Sequence, residues 1–124
     1  MLLSLFDTHC DTAYELYHRD LRLDVNDGCH ISLDKAACFD TYAQYYAIWS
    51  NRRLDDEACW NDFLKIAANF KTELARIPEK AVQVTSATEL EAAVSNRKHA
   101  AILAVEDAEL AKKLDAKRKS DAAK

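Results

Sequence analysis

The chain reads as an α/β protein built on parallel strands, and three observations predict it. Nearly continuous apolar runs recur at residues 2–6, 41–49 and 100–105, the composition of strands buried on both faces of a parallel sheet. Between them lie stretches with the apolar period of amphipathic helices, which parallel strands need as crossovers. One glycine and one proline in 124 residues leave room for few tight turns, so regular elements must run long.

The composition narrows the function classes. With 49% hydrophobic and 31% charged residues the chain is a soluble globular type and not a disordered one. A net charge of −4 and the lack of a basic patch interleaved with aromatics argue against nucleic acid as a partner. No apolar stretch approaches the length of a membrane span, and residues 1–6 are too short and too uncharged at the start for a secretory signal. Cys10, Cys29, Cys38 and Cys59 follow neither CxxC nor zinc-finger spacing. Reduced thiols and a cytoplasmic location are expected.

Taken in order, residues 2–6 predict a short buried strand and residues 12–19 a short helix. Residues 20–30 are polar and contain Asn26-Asp27-Gly28, a strong turn signal. Residues 31–39 are ambiguous, with at most one helical turn through Leu33, Ala36 and Ala37. Residues 41–49 predict a strand buried on both faces, in which Gln44 is a core amide with its hydrogen bonds satisfied. From Leu54 the period changes: Phe63, Ile66, Ala67, Phe70, Leu74 and Ile77 form one helical stripe. Asp55, Asp56 and Glu57 suit its positive end, and Pro78 closes it. Residues 82–84 are a short extended piece. Ser86-Ala87-Thr88-Glu89 is a capping box that opens a helix to about Arg97, with Leu90, Ala93 and Val94 inward. Residues 100–105 predict the third strand, ending in Glu106-Asp107.

The chemistry gathers at strand ends. His9 and Asp11 follow the first strand, two residues apart and so on one side of an extended chain, with Cys10 on the other. An imidazole nitrogen beside a carboxylate suits a divalent metal such as zinc. A surface histidine and a capping aspartate are the ordinary explanation of so short a motif. Glu106, following the third strand, would by itself be a helix-start carboxylate. Parallel sheets bring the carboxyl ends of their strands together, however, so His9, Asp11 and Glu106 are expected to converge as metal ligands. His18, His30 and His99 are expected at the surface. Residues 108–124 carry a net charge of +3 against −7 for residues 1–108, and predict a solvated helix or a frayed tail beyond a domain spanning 1–107.

Three blocks together resemble the amino-terminal part of the membrane dipeptidase (renal dipeptidase-like) family. Asp7-Thr8-His9-Cys10-Asp11-Thr12 is similar to the family's opening His-x-Asp motif. Residues 24–33 and then 42–49 resemble its second strand and the approach to it. Ala101-Ile102-Leu103-Ala104-Val105-Glu106-Asp107 resembles the strand that carries its metal-bridging glutamate, with Asp107 where the family often has glycine. The resemblance implies a (β/α)₈ barrel and a zinc-dependent hydrolase in which a metal-activated water attacks the scissile carbonyl of a dipeptide. It implies two zinc ions, with His9 and Asp11 as ligands of one and Glu106 shared by both. A barrel takes about 250 residues, so about three strands of eight are expected here, without the second-metal histidines, the general acid/base or the substrate-binding residues. The chain is expected to be a truncated dipeptidase, inactive alone. The alternative is a non-catalytic fragment that binds metal weakly or self-associates through open sheet edges, with residues 41–49 as the adhesive segment. A barrel nuclease opening on His-x-His is disfavoured by Asp11.

Overall fold

Strand and helix alternate strictly along the computed structural model, which describes residues 3–49, 51 and 53–124: β1 (Ser4–Asp7), α1 (Thr12–His18), β2 (Thr41–Ile48), α2 (Asp56–Arg76), β3 (Ala81–Gln83), α3 (Ala87–Ser95), β4 (His99–Val105) and α4 (Ala108–Ala122). All strand pairs are parallel and the sheet order is β1-β2-β4-β3. This is the expected α/β class. The three strands expected from the sequence lie side by side in chain order, compatible with a segment of a (β/α)₈ barrel. A fourth, β3, forms from the short extended piece, because β4 offers it a free edge: Ala81 aligns with His99 and Gln83 with Ala101.

β2 is the centre of the sheet. Six of its eight residues are buried, as a strand flanked on both sides and covered on both faces must be. Gln44 is fully buried and satisfied: its Oε1 accepts from the Tyr42 hydroxyl, and its Nε2 donates to the Tyr45 carbonyl at 3.0 Å. The expectation that residues 41–49 form the adhesive segment is corrected, since β2 is paired on both sides. β1 departs from the buried strand expected at residues 2–6, of which Leu2 lies outside the described residues. It is an edge strand with one neighbour, and Leu3 and Phe6 are each about half exposed, at 52% and 51%.

The main core lies on one sheet face, where Tyr46, Ile48 and Ala101 meet Leu16 of α1, Phe70 of α2 and Leu110 of α4. A smaller cluster on the other face joins Ala43 and Ala100 to Ala93 of α3. α2 begins at Asp55, whose side chain accepts from the Ala58 N–H, and buries Ile66, Phe70 and Leu74 of its expected stripe. At the start of α3 the Ser86 hydroxyl accepts from the Glu89 N–H at 3.1 Å, half of the expected capping box. Glu89 reaches one residue further back, to the Thr85 N–H at 2.6 Å. Val94, expected inward, is 38% exposed, because only the Ala93 side of this short helix meets the sheet.

Residues 20–40 form no helix or strand and are held down by side chains instead. Asn26 is buried: its Nδ2 donates to the Arg22 carbonyl at 2.7 Å and to the Ile31 carbonyl at 3.3 Å, while its Oδ1 accepts from the Cys29 N–H at 2.9 Å. Glu73 of α2 reaches across to accept from the Leu23 N–H at 3.0 Å. Residues 108–124 take the helical option of the two expected. α4 buries Leu110 in the main core, and Lys113 pairs with Asp56 of α2 at 2.5 Å.

Candidate metal centre

The carboxyl ends of β1, β2 and β4 lie side by side, and the groups that follow them are tethered to β2. Beyond Asp7 the chain leaves the ladder, then returns to it where the Cys10 carbonyl accepts from the Ala47 N–H at 2.9 Å. Beyond Val105 the Glu106 N–H donates to the Ile48 carbonyl at 3.1 Å. β2 therefore supplies none of the three candidate ligands but sets the distance between them.

His9 Nε2 lies 3.4 Å from Asp11 Oδ1 and 3.9 Å from Glu106 Oε2. One ligand atom from each of the three residues falls within 4.8 Å of the others, and all three are exposed. The donor set fits a zinc ion: donors at bond lengths of about 2.0–2.1 Å in a tetrahedron stand roughly 3.3 Å apart, close to the His9–Asp11 separation. Two carboxylates and a neutral imidazole also match the charge and ligand preferences of a divalent cation.

Neither carboxylate serves as a helix cap. Asp11 occupies the N-cap position of α1, yet its side chain makes no capping hydrogen bond. At α4 the capping is done by Asp107, which accepts from the Glu109 N–H at 2.8 Å. Asp107 thereby has a structural role of its own at the start of α4. Its φ of −96° requires no glycine.

Cys10 faces inward, opposite to its two neighbours. Its thiol donates to the Tyr45 carbonyl at 3.6 Å, and burial pushes its pKa up despite hydrogen bonding with Thr12, so it stays a protonated donor at neutral pH. The cleft beside the ligands has a volume of about 510 Å³ and is lined by Asp7, Arg19 and His30 along with His9, Cys10 and Asp11. Within this lining the Arg19 guanidinium donates to the Gly28 carbonyl at 2.8 Å. All four cysteines are free thiols. Among the described residues, no helix is long and apolar enough to cross a membrane.

The other histidines divide. His30 is exposed on the rim of the cleft, and His18 is partly exposed with its Nε2 2.9 Å from Asp62 Oδ1. His99, expected at the surface, is a correction: it is the first residue of β4 and 6% exposed. Its Nδ1–H donates to the Tyr42 carbonyl at 3.0 Å, which leaves Nε2 to accept from the Tyr46 hydroxyl at 2.6 Å. Burial lowers its pKa to about 4, against the Tyr42 hydrogen bond, which acts the other way. The available signal was its place directly before an apolar strand, on the same face as Ala101 and Leu103. No protein-family model matches the chain, and no curated protein matches it.

Proposed function

We propose that this chain carries the amino-terminal part of a zinc-dependent dipeptidase centre, with His9, Asp11 and Glu106 as metal ligands. The observation that supports this reading is the meeting of these three side chains from two separate strand ends, within 4.8 Å, at the carboxyl edge of a parallel sheet. In this reading His9 offers a neutral imidazole nitrogen, and Asp11 offsets the charge of the cation. Glu106 has two carboxylate oxygens, which suits one side chain to a pair of cations. Zinc, when bound, supplies an activated water and polarises a carbonyl.

The chain by itself is proposed to be inactive. The family's general acid/base has no counterpart in the cluster, and that contribution alone is worth about 10²–10⁴ in rate. Calorimetric titration with zinc should show weak binding, since three ligands with little supporting structure make a poor site. His9→Ala and Asp11→Ala should each weaken it markedly; equal binding in parent and variants would remove the site. Zinc-loaded protein should hydrolyse L-L and L-D dipeptides no faster than Glu106→Gln, and clear turnover above that control would overturn the inactive reading.

A second reading, self-association, is favoured by half-exposed Phe6 on the edge strand β1 and half-exposed Leu3 just before it. Sedimentation velocity should show oligomers that Phe6→Lys reduces. A sharp monomer boundary at high concentration would dismiss it.

A further inference from the structure

The segment that carries two of the three ligands belongs to no helix or strand. Residues 8–11 lie between the end of β1 and the start of α1, and both His9 and Asp11 are about half exposed. Exposed side chains on an irregular segment are not held by packing of their own. Something else must keep them turned toward Glu106.

The residue between them is the one that is anchored. Cys10 is half-buried against the main core. It has two polar tethers to β2: its thiol to the Tyr45 carbonyl and its own carbonyl to the Ala47 N–H. These two β2 residues are two apart in the strand, so the tethers run along one side of it. The Tyr45 carbonyl is itself held, since it also accepts from Gln44 Nε2 at 3.0 Å, and Gln44 is fixed in turn by the Tyr42 hydroxyl. Glu106 is tied to the next residue of the same strand, through the Ile48 carbonyl. The ligands are thus referred to one short stretch of β2, with Cys10 as the link on the His9–Asp11 side.

We propose that Cys10 is a positioning residue: by keeping its side chain inward on β2, it holds the flanking His9 and Asp11 side chains outward and facing Glu106. This rests on the metal reading only for its zinc readout. The geometric claim concerns the chain's own side chains. Alanine at position 10 keeps the backbone tether but loses the thiol contact; valine fills the space without a donor; serine restores a donor on a shorter arm.

Two measurements on the full chain test it. In calorimetric titration with zinc, Cys10→Ala and Cys10→Val should each lose about tenfold in affinity, the lower end of what a group orienting a metal ligand is worth, with Cys10→Ser recovering part of the loss. In the metal-free protein, nuclear Overhauser contacts between the His9 ring and the Glu106 side chain should be present in the parent. They should fade in Cys10→Ala and Cys10→Val while contacts within the main core persist. The same fading in a protein whose parent does not bind zinc would uphold the positioning role and dismiss the metal. Unchanged contacts in both variants, or affinity that follows only the loss of core contacts, would overturn the proposal.

Discussion

Acid should loosen this fold through His99, over a range that begins above the titration of most carboxylates. The ring is buried between β2 and β4, and neutral it satisfies both nitrogens: Nδ1–H to the Tyr42 carbonyl and Nε2 from the Tyr46 hydroxyl. A second proton places a charge in an apolar site and turns the acceptor nitrogen into a donor facing a hydroxyl. The pKa accordingly falls from 6.5 to about 4. In the unfolded chain the ring gains its proton below about pH 6.5, whereas the folded protein resists until about pH 4. The unfolded state therefore binds more protons within that window. Stability is complete above it and is lost as the pH falls through it. Each tenfold difference in proton affinity between the two states is worth about 1.4 kcal/mol. The full effect is then about 3 kcal/mol, of which about 2 kcal/mol should be lost between pH 7 and pH 5. Urea unfolding of the parent and of His99→Gln at several pH values measures it. The variant should start less stable at neutral pH and then lose less, because the remaining histidines are common to both proteins and cancel in the difference. Parallel pH profiles, within about 0.5 kcal/mol of a constant offset, would show that His99 is not the source of the acid sensitivity.

Three further expectations concern how the chain is held together. Glu73 is buried, and its carboxyl would be pushed up by burial, but hydrogen bonds from Arg76 and the Leu23 N–H outweigh this and hold it below its ordinary value. Its share of stability is present above the ordinary carboxylate range and lost as the pH falls through the lowered value. Glu73→Ala should cost about 3 kcal/mol in urea unfolding, by leaving the Leu23 N–H unpaired and Arg76 with Asp24 alone, and a loss under about 1 kcal/mol would contradict this. Leu110→Ala should cost about 2–4 kcal/mol if α4 is part of the cooperative unit, whereas thermal melts that match the parent would make the helix an appendage. Asp20 closes α1 with a φ of 50°, so Asp20→Gly should raise stability by about 0.5–1 kcal/mol, and any loss of stability would speak against strain at that position.

How much was legible in the sequence follows the range of the interactions involved. Helix α2 could be found because its signals are local: an apolar stripe ending at Ile77, an N-terminal Asp55, and Pro78 after the last turn. The candidate ligands were legible for a similar reason, since His9, Asp11 and Glu106 sit directly after apolar strands and parallel pairing brings such ends together. β3 was weaker, because three residues between a proline and a capping box carry no periodic pattern; a partner edge on β4 makes them a strand. The anchoring of residues 20–40 was not legible, because it is done by Asn26 and Glu73 through single hydrogen bonds that no pattern announces.

By itself, the sequence determined the class, the alternation of parallel strands with helices, and the residues able to serve as ligands, because binary patterning and the polarity of strands act over a few residues. The tertiary structure alone decided which groups are buried. It made β1 an edge with Phe6 half exposed, placed β2 in the middle, drew Leu110 of the charged carboxyl-terminal stretch into the core, and took His99 inside between two tyrosines. Burial depends on what other segments cover a residue, and that cover comes here from chain tens of residues away. The same holds for the candidate metal centre: the residues were present in the sequence, but the distances among them were set by β2, a strand that contributes no ligand of its own.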